Sequence, residues 1–356
     1  MHTPLRHYGF RWNGKFAITD DMTQHPPLPT HMQAMEIRAN TLVSTTLPVP
    51  APAAGELLIR VAYAGVNRAD ILQIEGNYAP PEGASPLPGL EVSGWVAALG
   101  DGVKGFALGQ QVCALLSGGG YAEYAVAPAA QTLTLPTGMD LKEAATLPEA
   151  AATSVMALAN EGALKADERV LIHGASSGVG LMMAQIAKHW GAEVLGVVGS
   201  DEKVKLLNDL NIRAINHRAA PFAEQVMAAT HGEGVDVIID TLGGPMLETH
   251  LRLLRKNGRL VSLAMLEGSA IPAGCKMTRL LMNHLTWRGA TLRSRSHAEK
   301  ATIMETVRAN VWPALANGSI RPRIDSCFAL ADAKKALLRM QERLHMGKIL
   351  LEVAPE

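Results

Sequence analysis

Residues 170–180 read Val-Leu-Ile-His-Gly-Ala-Ser-Ser-Gly-Val-Gly, residue types whose spacing suits the holding of a pyrophosphate. Val170, Leu171 and Ile172 form a short aliphatic run of the kind found in a buried parallel strand. Ala175, Ser176, Ser177, Gly178, Val179 and Gly180 then supply a turn with little side-chain bulk, and an apolar helix continues from Leu181. The first N–H groups of a helix have no partner within it, and the helix dipole favours negative charge there. Strand, small-residue turn and helix in this order make a dinucleotide-binding βαβ unit. The loop departs from strict GxGxxG, because Ala175 and Ser177 hold the first two glycine positions. On the loop alone, an ordinary strand-to-helix turn stays open.

The next strand decides which nucleotide fits. It should lie about 20 residues further on, and the run Glu193–Val197 does, ending Val197-Val198-Gly199-Ser200 without a carboxylate at its tip. A carboxylate there would bind the ribose 2′-OH of NAD and repel a 2′-phosphate. Gly199 and Ser200 leave room for that phosphate and Lys203 can neutralise it, so NADPH is the expected cofactor. Asp201 and Glu202 read as first-turn helix acids, with a weakening of phosphate binding as the other reading. Asp240 and the pair Ala264-Met265 end later strands, at the edge where a dinucleotide lies. His173, at the first strand's end, reads as a satisfied neighbour of the backbone rather than a base.

The elements that must position these residues fall into two blocks. A chain of 356 residues is long enough for two domains at about 100–200 residues each. From Met35 to Leu135 short apolar runs alternate with turns, as in a small β-barrel. Ala144–Leu158 is alanine-rich and reads as bridging helices. Strands are then expected at 170–172, 193–197, 214–216, 235–240 and 258–263, and helices at 180–190, 201–210, 221–230 and 245–254. That alternation implies α/β architecture with a doubly wound parallel sheet. A helix over 298–316, a helix over 331–344 and a strand over 348–353 close the chain, the tail returning to the first domain. Residues 1–31, with scattered prolines and histidines, are expected to be a disordered extension, the fold beginning near Met32 or Met35.

Composition narrows the class. Hydrophobic residues are 48% and charged residues 19%, an ordinary globular balance. Lys plus Arg equals Asp plus Glu at 33 each, which gives no support to a nucleic-acid or anionic-membrane partner. The three cysteines lie far apart without a CxxC, as expected of reduced thiols in a cytoplasmic protein. No apolar run approaches the roughly 18 residues of a membrane span. The N-terminal stretch lacks the apolar segment of a signal peptide.

Five motifs in order carry a family resemblance: Gly65-Val66-Asn67-Arg68-Ala69-Asp70, Gly76-Asn77-Tyr78, Pro88-Gly89-Leu90-Glu91, the loop Gly174–Gly180, and Leu292-Arg293-Ser294-Arg295. Over residues 32–354 the chain resembles the quinone oxidoreductase (zeta-crystallin-like) branch of the medium-chain dehydrogenase/reductase superfamily, most nearly its tumour-suppressor-inducible type. The resemblance implies a Rossmann cofactor domain over 156–318 and a mainly β, GroES-like barrel catalytic domain over 32–155 and 319–356. It implies hydride transfer from NADPH to a quinone or related conjugated carbonyl, and a homodimer joined edge to edge through the cofactor-domain sheets. An enoyl or alkenal reductase, or a cofactor-binding redox sensor with little catalysis, are the alternatives.

The same resemblance puts Asn67, Asp70 and Tyr78 in the cleft near the nicotinamide. The Asn67 amide and the Tyr78 phenol are hydrogen-bond donors for a carbonyl oxygen. Thr153, Ser294 and Arg295 match positions near the cofactor, and His217 stands where relatives carry a tyrosine near the adenine. Each has a plainer reading: Asn67 fixing a loop, Asp70 paired with Arg68 or a neighbour, Tyr78 as packing, Thr153 as a helix threonine, Arg293 and Arg295 as a solvated strand end. Zinc-dependent members carry Cys where this chain has Asn67 and His where it has Leu90, and neither replacement can serve as thiolate or imidazole ligand. No metal is therefore expected, and the acceptor should be electrophilic without a Lewis acid.

Overall fold

The computed structural model describes residues 27–354. Most of the expected disordered extension lies outside the described residues, and His31 already belongs to the first strand. The chain enters through a hairpin, β1 (His31–Arg38) and β2 (Thr41–Pro48), turned by Ala39 and Asn40 in the left-handed region. Then come β3 (Glu56–Gly65), the short helix α1 (Arg68–Ile74), β4 (Glu91–Leu99), β5 (Gln111–Leu115), β6 (Tyr124–Pro128) and β7 (Thr132–Thr134). Helices α2 (Leu141–Ala144) and α3 (Pro148–Val155) lead out, and α3 runs into a π-helical turn over Met156–Glu161.

Strands and helices then alternate: β8 (Arg169–His173), α4 (Gly178–His189), β9 (Glu193–Val198), α5 (Asp201–Asp209), β10 (Arg213–Asn216), α6 (Phe222–Ala229), β11 (Val235–Asp240), α7 (Leu247–Leu253), β12 (Leu254–Ser262), α8 (Thr278–Met282) and β13 (Thr286–Gly289). The strands form one parallel sheet in the order β10-β9-β8-β11-β12-β13. The order reverses direction between β8 and β11, and a ligand crevice opens outside the carboxyl ends of strands at such a point. Helices α9 (His297–Asn310) and α10 (Trp312–Ala316) follow. The chain then returns through β14 (Ile324–Ala329), α11 (Ala333–Gln341) and β15 (Lys348–Glu352), which extend the first sheet as β14-β15-β3-β4-β5-β7.

The alanine-rich helix α3 is the hinge of the packing. Ala150, Ala151 and Ala152 are fully buried, and their small side chains belong to one apolar cluster with Leu115 and Leu133 on one side and Met183, Ala184 and Ile303 on the other. One core thus runs from the first sheet to the cofactor-type sheet.

Three elements differ from the expectation for physical reasons. The helix expected over 298–316 is two helices, because Pro313 has no N–H to give the Ala309 carbonyl. Strand β12 begins at Leu254 rather than 258, passing through Asn257 at φ 64. Strand β13 was not expected: all four of its residues are exposed, so no burial alternation marks it in the sequence.

Glycine at 180 is dictated by the close approach of α4 to β8. A Cβ there would stand 2.9 Å from Ala175 Cα and 2.9 Å from the Gly174 carbonyl carbon. Gly180→Ala should therefore push α4 off the strand and lower stability by about 1–3 kcal/mol. Urea unfolding of the variant beside the parent protein checks this.

Candidate active site

The small-residue loop divides by exposure. Gly174 bends at φ 64 and is open to solvent, while Ser177, Gly178 and Val179 are half-buried. Ser177 caps α4, its Oγ accepting from Gly180 N at 3.1 Å. Ala175, Ser176 and Gly180 are buried, so their part is to shape the loop. The Ser176 carbonyl accepts from Gly347 N at 2.9 Å, and Ser177 bridges to Gly347. The start of the last strand is thereby fastened to the loop.

At the tip of β9 the chain gathers positive charge. His217 Nε2 lies 3.0 Å and Arg218 Nε 3.5 Å from where a Cβ on Gly199 would stand. Lys203 comes to the same corner, where burial first and then the charge of Arg218 lower its pKa; burial and Arg218 also lower that of His217. The Lys203 ammonium donates to the Arg343 carbonyl at 2.6 Å. Ser200 is the N-cap of α5. Asp201 accepts from the Asn216 amide at 2.7 Å, which gives this first-turn acid a partner of its own.

Asp240 has a structural part in the loop after β11. It is buried, with Oδ1 accepting from Leu242 N at 2.7 Å and Gly243 N at 3.2 Å, and Oδ2 from Ser262 Oγ at 3.0 Å. It pins the loop after β11 to β12. Ala264 is half-buried and Met265 exposed beyond β12, with Met265 packed on Gly243. His173 faces His250, Nε2 to Nε2 at 2.9 Å, and burial pushes its pKa well down. Its partner is thus a side chain of α7 rather than the backbone.

The cleft between the two sheets holds the remaining candidates, and the structure corrects three. Asp70 is 0% exposed. Its carboxylate accepts from Asn67 N at 2.8 Å, Gly89 N at 3.1 Å and Tyr121 Oη at 2.8 Å, so its partners are these and not Arg68. Burial pushes it up to about 6 against those bonds. These bonds make it a group that positions the loops around the cleft. Asn67 is buried with its amide engaged: Nδ2 donates to Glu91 Oε1 at 2.9 Å and more weakly to the Gly65 carbonyl, and Oδ1 accepts from Lys348 Nζ at 2.6 Å. No N–H is left for an acceptor. Arg295 is held by Glu161 and by Glu299 at 3.3 Å, on the flank of α9. Ser294 is exposed and shares a 2.6 Å hydrogen bond with Thr291.

Arg293 rather than Arg295 turns inward, towards Ser117 and Tyr78. It is 3% exposed, not a solvated strand end. Its Nε donates to the Ser117 carbonyl at 2.9 Å, Nη1 to the Tyr78 carbonyl at 3.2 Å, and its guanidinium carbon lies 5.5 Å from the Tyr78 ring centre. Lys300 is 2% exposed and donates to Ser117 Oγ and the Arg293 carbonyl, both at 2.7 Å. Neither cation forms an ion pair among the described residues. Tyr78 is half-buried; burial and then Glu149 raise its phenol, and Arg293 lowers it. Across from it Thr153 Oγ1 donates to Glu149 Oε1 at 3.0 Å.

Sequence reasoning missed Glu149, Lys300 and Arg218. Lys300 had left a signal, since it lies on the same helix face as the buried Ile303, Met304 and Val307. Glu149 was masked by its place in the first turn of α3, where an acid is ordinary.

Comparison with known proteins now bears on this geometry. Residues 53–137 match the family model of an alcohol dehydrogenase GroES-like domain, and residues 178–308 that of a zinc-binding dehydrogenase. Rat quinone oxidoreductase is 32% identical over 312 residues, 85% of this chain and 91% of that protein. The solved CurK enoyl reductase is 26% identical with a TM-score of 0.80, covering 92% of this chain and all of that one. A mycobacterial protein solved with NADPH is 27% identical with a TM-score of 0.80, covering 90% and 100%. The parallel sheet with its loop at the switch point and the polar cleft beside it define an oxidoreductase of the NAD(P)-binding kind. The chain belongs to the quinone oxidoreductase branch of the medium-chain dehydrogenase/reductase superfamily. Among the described residues no three His, Cys, Asp or Glu side chains group as a metal site. No helix among them is long and apolar enough to cross a membrane.

Asp70→Ala would leave Asn67 N, Gly89 N and Tyr121 Oη unpaired in the core, a loss of about 3 kcal/mol or more at roughly 1–3 kcal/mol per buried group. Tyr121→Phe, which removes one bond, should lose about 1–2 kcal/mol. Chemical denaturation of both variants tests that order.

Proposed function

We propose that the protein reduces quinones or related conjugated carbonyls with NADPH. The observation that carries the cofactor choice is the cationic corner at Gly199, where Lys203 and Arg218 converge beside His217 and the strand tip bears no carboxylate. The chain's residues fit the dinucleotide: Gly180 closes the helix on the strand, and the free N–H groups at the start of α4 suit a pyrophosphate. Lys203, His217 and Arg218 would hold the 2′-phosphate. A bound reduced nicotinamide supplies hydride. Tyr78 is the cleft hydroxyl best placed to donate to the acceptor's oxygen, since Arg293 fixes its backbone and faces its ring. Asn67, Lys348 and Glu91 form the floor beneath. The likeness to CurK supports enoyl thioesters as the second acceptor class to assay.

We also propose a homodimer through β13. This edge strand is exposed along its length, and Leu281, Met282 and Trp287 beside or on it are exposed apolar side chains. An unpaired edge with an apolar flank is a template for pairing. Met282→Glu should shift the sedimenting species towards monomer; an unchanged profile counts against this interface.

Lys203→Glu combined with Arg218→Glu should raise KM for NADPH at least about tenfold, the equivalent of one charged hydrogen bond. KM for NADH should change little. Steady-state kinetics with both nucleotides and a panel of quinones and enones decides this, and equal effects on the two nucleotides would reject the 2′-phosphate role.

A further inference from the structure

Glu149 takes one hydrogen bond on its side chain, from Thr153, and leaves a carboxyl oxygen free of any hydrogen bond from the described residues. It sits in the first turn of α3, where its N–H donates to Glu91 Oε2 at 2.9 Å. Its side chain is half-buried and turns the other way from a helix cap: Oε1 accepts from Thr153 Oγ1, and Oε2 takes no hydrogen bond from the described residues. The groups that face it come from every wall of the cleft. Glu91 on β4 and Asp70 on α1 oppose its charge, and Lys348 on β15 favours it. It in turn acts on Tyr78, Arg293 and Lys300 across the cleft. A carboxyl with one unclaimed oxygen thus lies within electrostatic reach of the Tyr78 phenol and of two buried cations that form no ion pair among the described residues.

We propose that Glu149 is the proton donor of the reduction, delivering its proton to the oxygen of the acceptor, directly or through Tyr78. This rests on the reading of the protein as a carbonyl-type reductase and names the residue that completes it. An acceptor that has gained hydride carries negative charge on its oxygen; the acceptor is reduced and the nicotinamide oxidised. The carboxyl O–H bond of Glu149 breaks, an O–H bond forms on the reduced acceptor, and the carboxylate regains its proton from solvent. Arg293 and Lys300 supply positive potential at the same wall while that charge exists. Burial first, then the neighbouring Glu91 carboxylate, push Glu149 up to about 7. A donor is most effective when its pKa lies near the working pH.

The sign follows directly. Glu149 holds its proton below about pH 7 and loses it above, so turnover that needs the acid should fall as pH rises through neutrality. Glu149→Gln should abolish that limb and lower kcat about 10²-fold or more, with KM for NADPH little changed. Thr153→Val removes a bond that favours the carboxylate and should move the limb to higher pH. pH-difference infrared spectra of the protein without substrate supply a readout independent of turnover: the parent should show a protonated-carboxyl band that titrates near 7 beside that of Asp70 near 6, and Glu149→Gln should lose the first and keep the second. If the parent protein reduces neither quinones nor enones, the functional reading fails. If it does, and Glu149→Gln keeps both the limb and the rate, this assignment fails.

Discussion

The buried ion pair of Lys348 and Glu91 is the interaction on which the cleft depends. Lys348 is 3% exposed and Glu91 0%. Leaving either alone in that setting would be strongly unfavourable, because a buried charge is tolerated only when it is paired and hydrogen-bonded. The remaining capacity is therefore filled: Glu91 accepts from the Asn67 amide and the Glu149 N–H, and Lys348 donates a hydrogen bond to Asn67 Oδ1. Two glycines follow from it. A Cβ on Gly65 would meet Glu91 Cγ at 2.7 Å, and one on Gly178 would meet Lys348 Cδ at 2.8 Å. The first sheet and the nucleotide-type loop are thus joined by one charge pair whose stems leave room only for hydrogen on either side.

This arrangement also explains the division of labour among the acids. Asp70, Glu91 and Glu149 lie within one region, and carboxylates so close cannot all ionise freely. Asp70 is stabilised by three hydrogen bonds and Glu91 by Lys348. Glu149 has only Thr153 on its carboxyl and is left with the weakest hold on charge. The same network takes up the Asn67 amide, which donates to Glu91 and the Gly65 carbonyl and accepts from Lys348.

The architecture was legible in the sequence because it rests on periodicity. The aliphatic runs at 170–172 and 193–197 and the small-residue loop after the first of them correspond to β8, β9 and the cap of α4. The cleft was less legible, since its roles depend on which residues meet from afar. Lys348 lies 281 positions from Asn67 in the chain, and Arg293 reaches Tyr78 across 215. Spacing within the motif Leu292-Arg293-Ser294-Arg295 cannot tell which arginine turns inward. Burial decides it: Arg293 lies under the Tyr78 segment and Arg295 meets Glu161. Strand β13 escaped for the opposite reason, having no buried face to pattern its residues.

The formal charge of the whole chain is zero, yet its cations are not evenly spent. Surface arginines such as Arg169 and Arg255 are matched by Glu193, Glu233 and Asp236. Lys203 and Arg218 at one end of the crevice, and Arg293 and Lys300 at the other, form no ion pairs among the described residues. In a crevice walled by low-dielectric protein, such unspent charge produces a positive potential larger than the same groups would give in water. On the proposed function, the 2′-phosphate of a dinucleotide would supply the missing anion at one end. A carbonyl that becomes negative for the moment of reduction would supply it at the other, so the two cationic ends would differ in whether their counter-charge is permanent or transient.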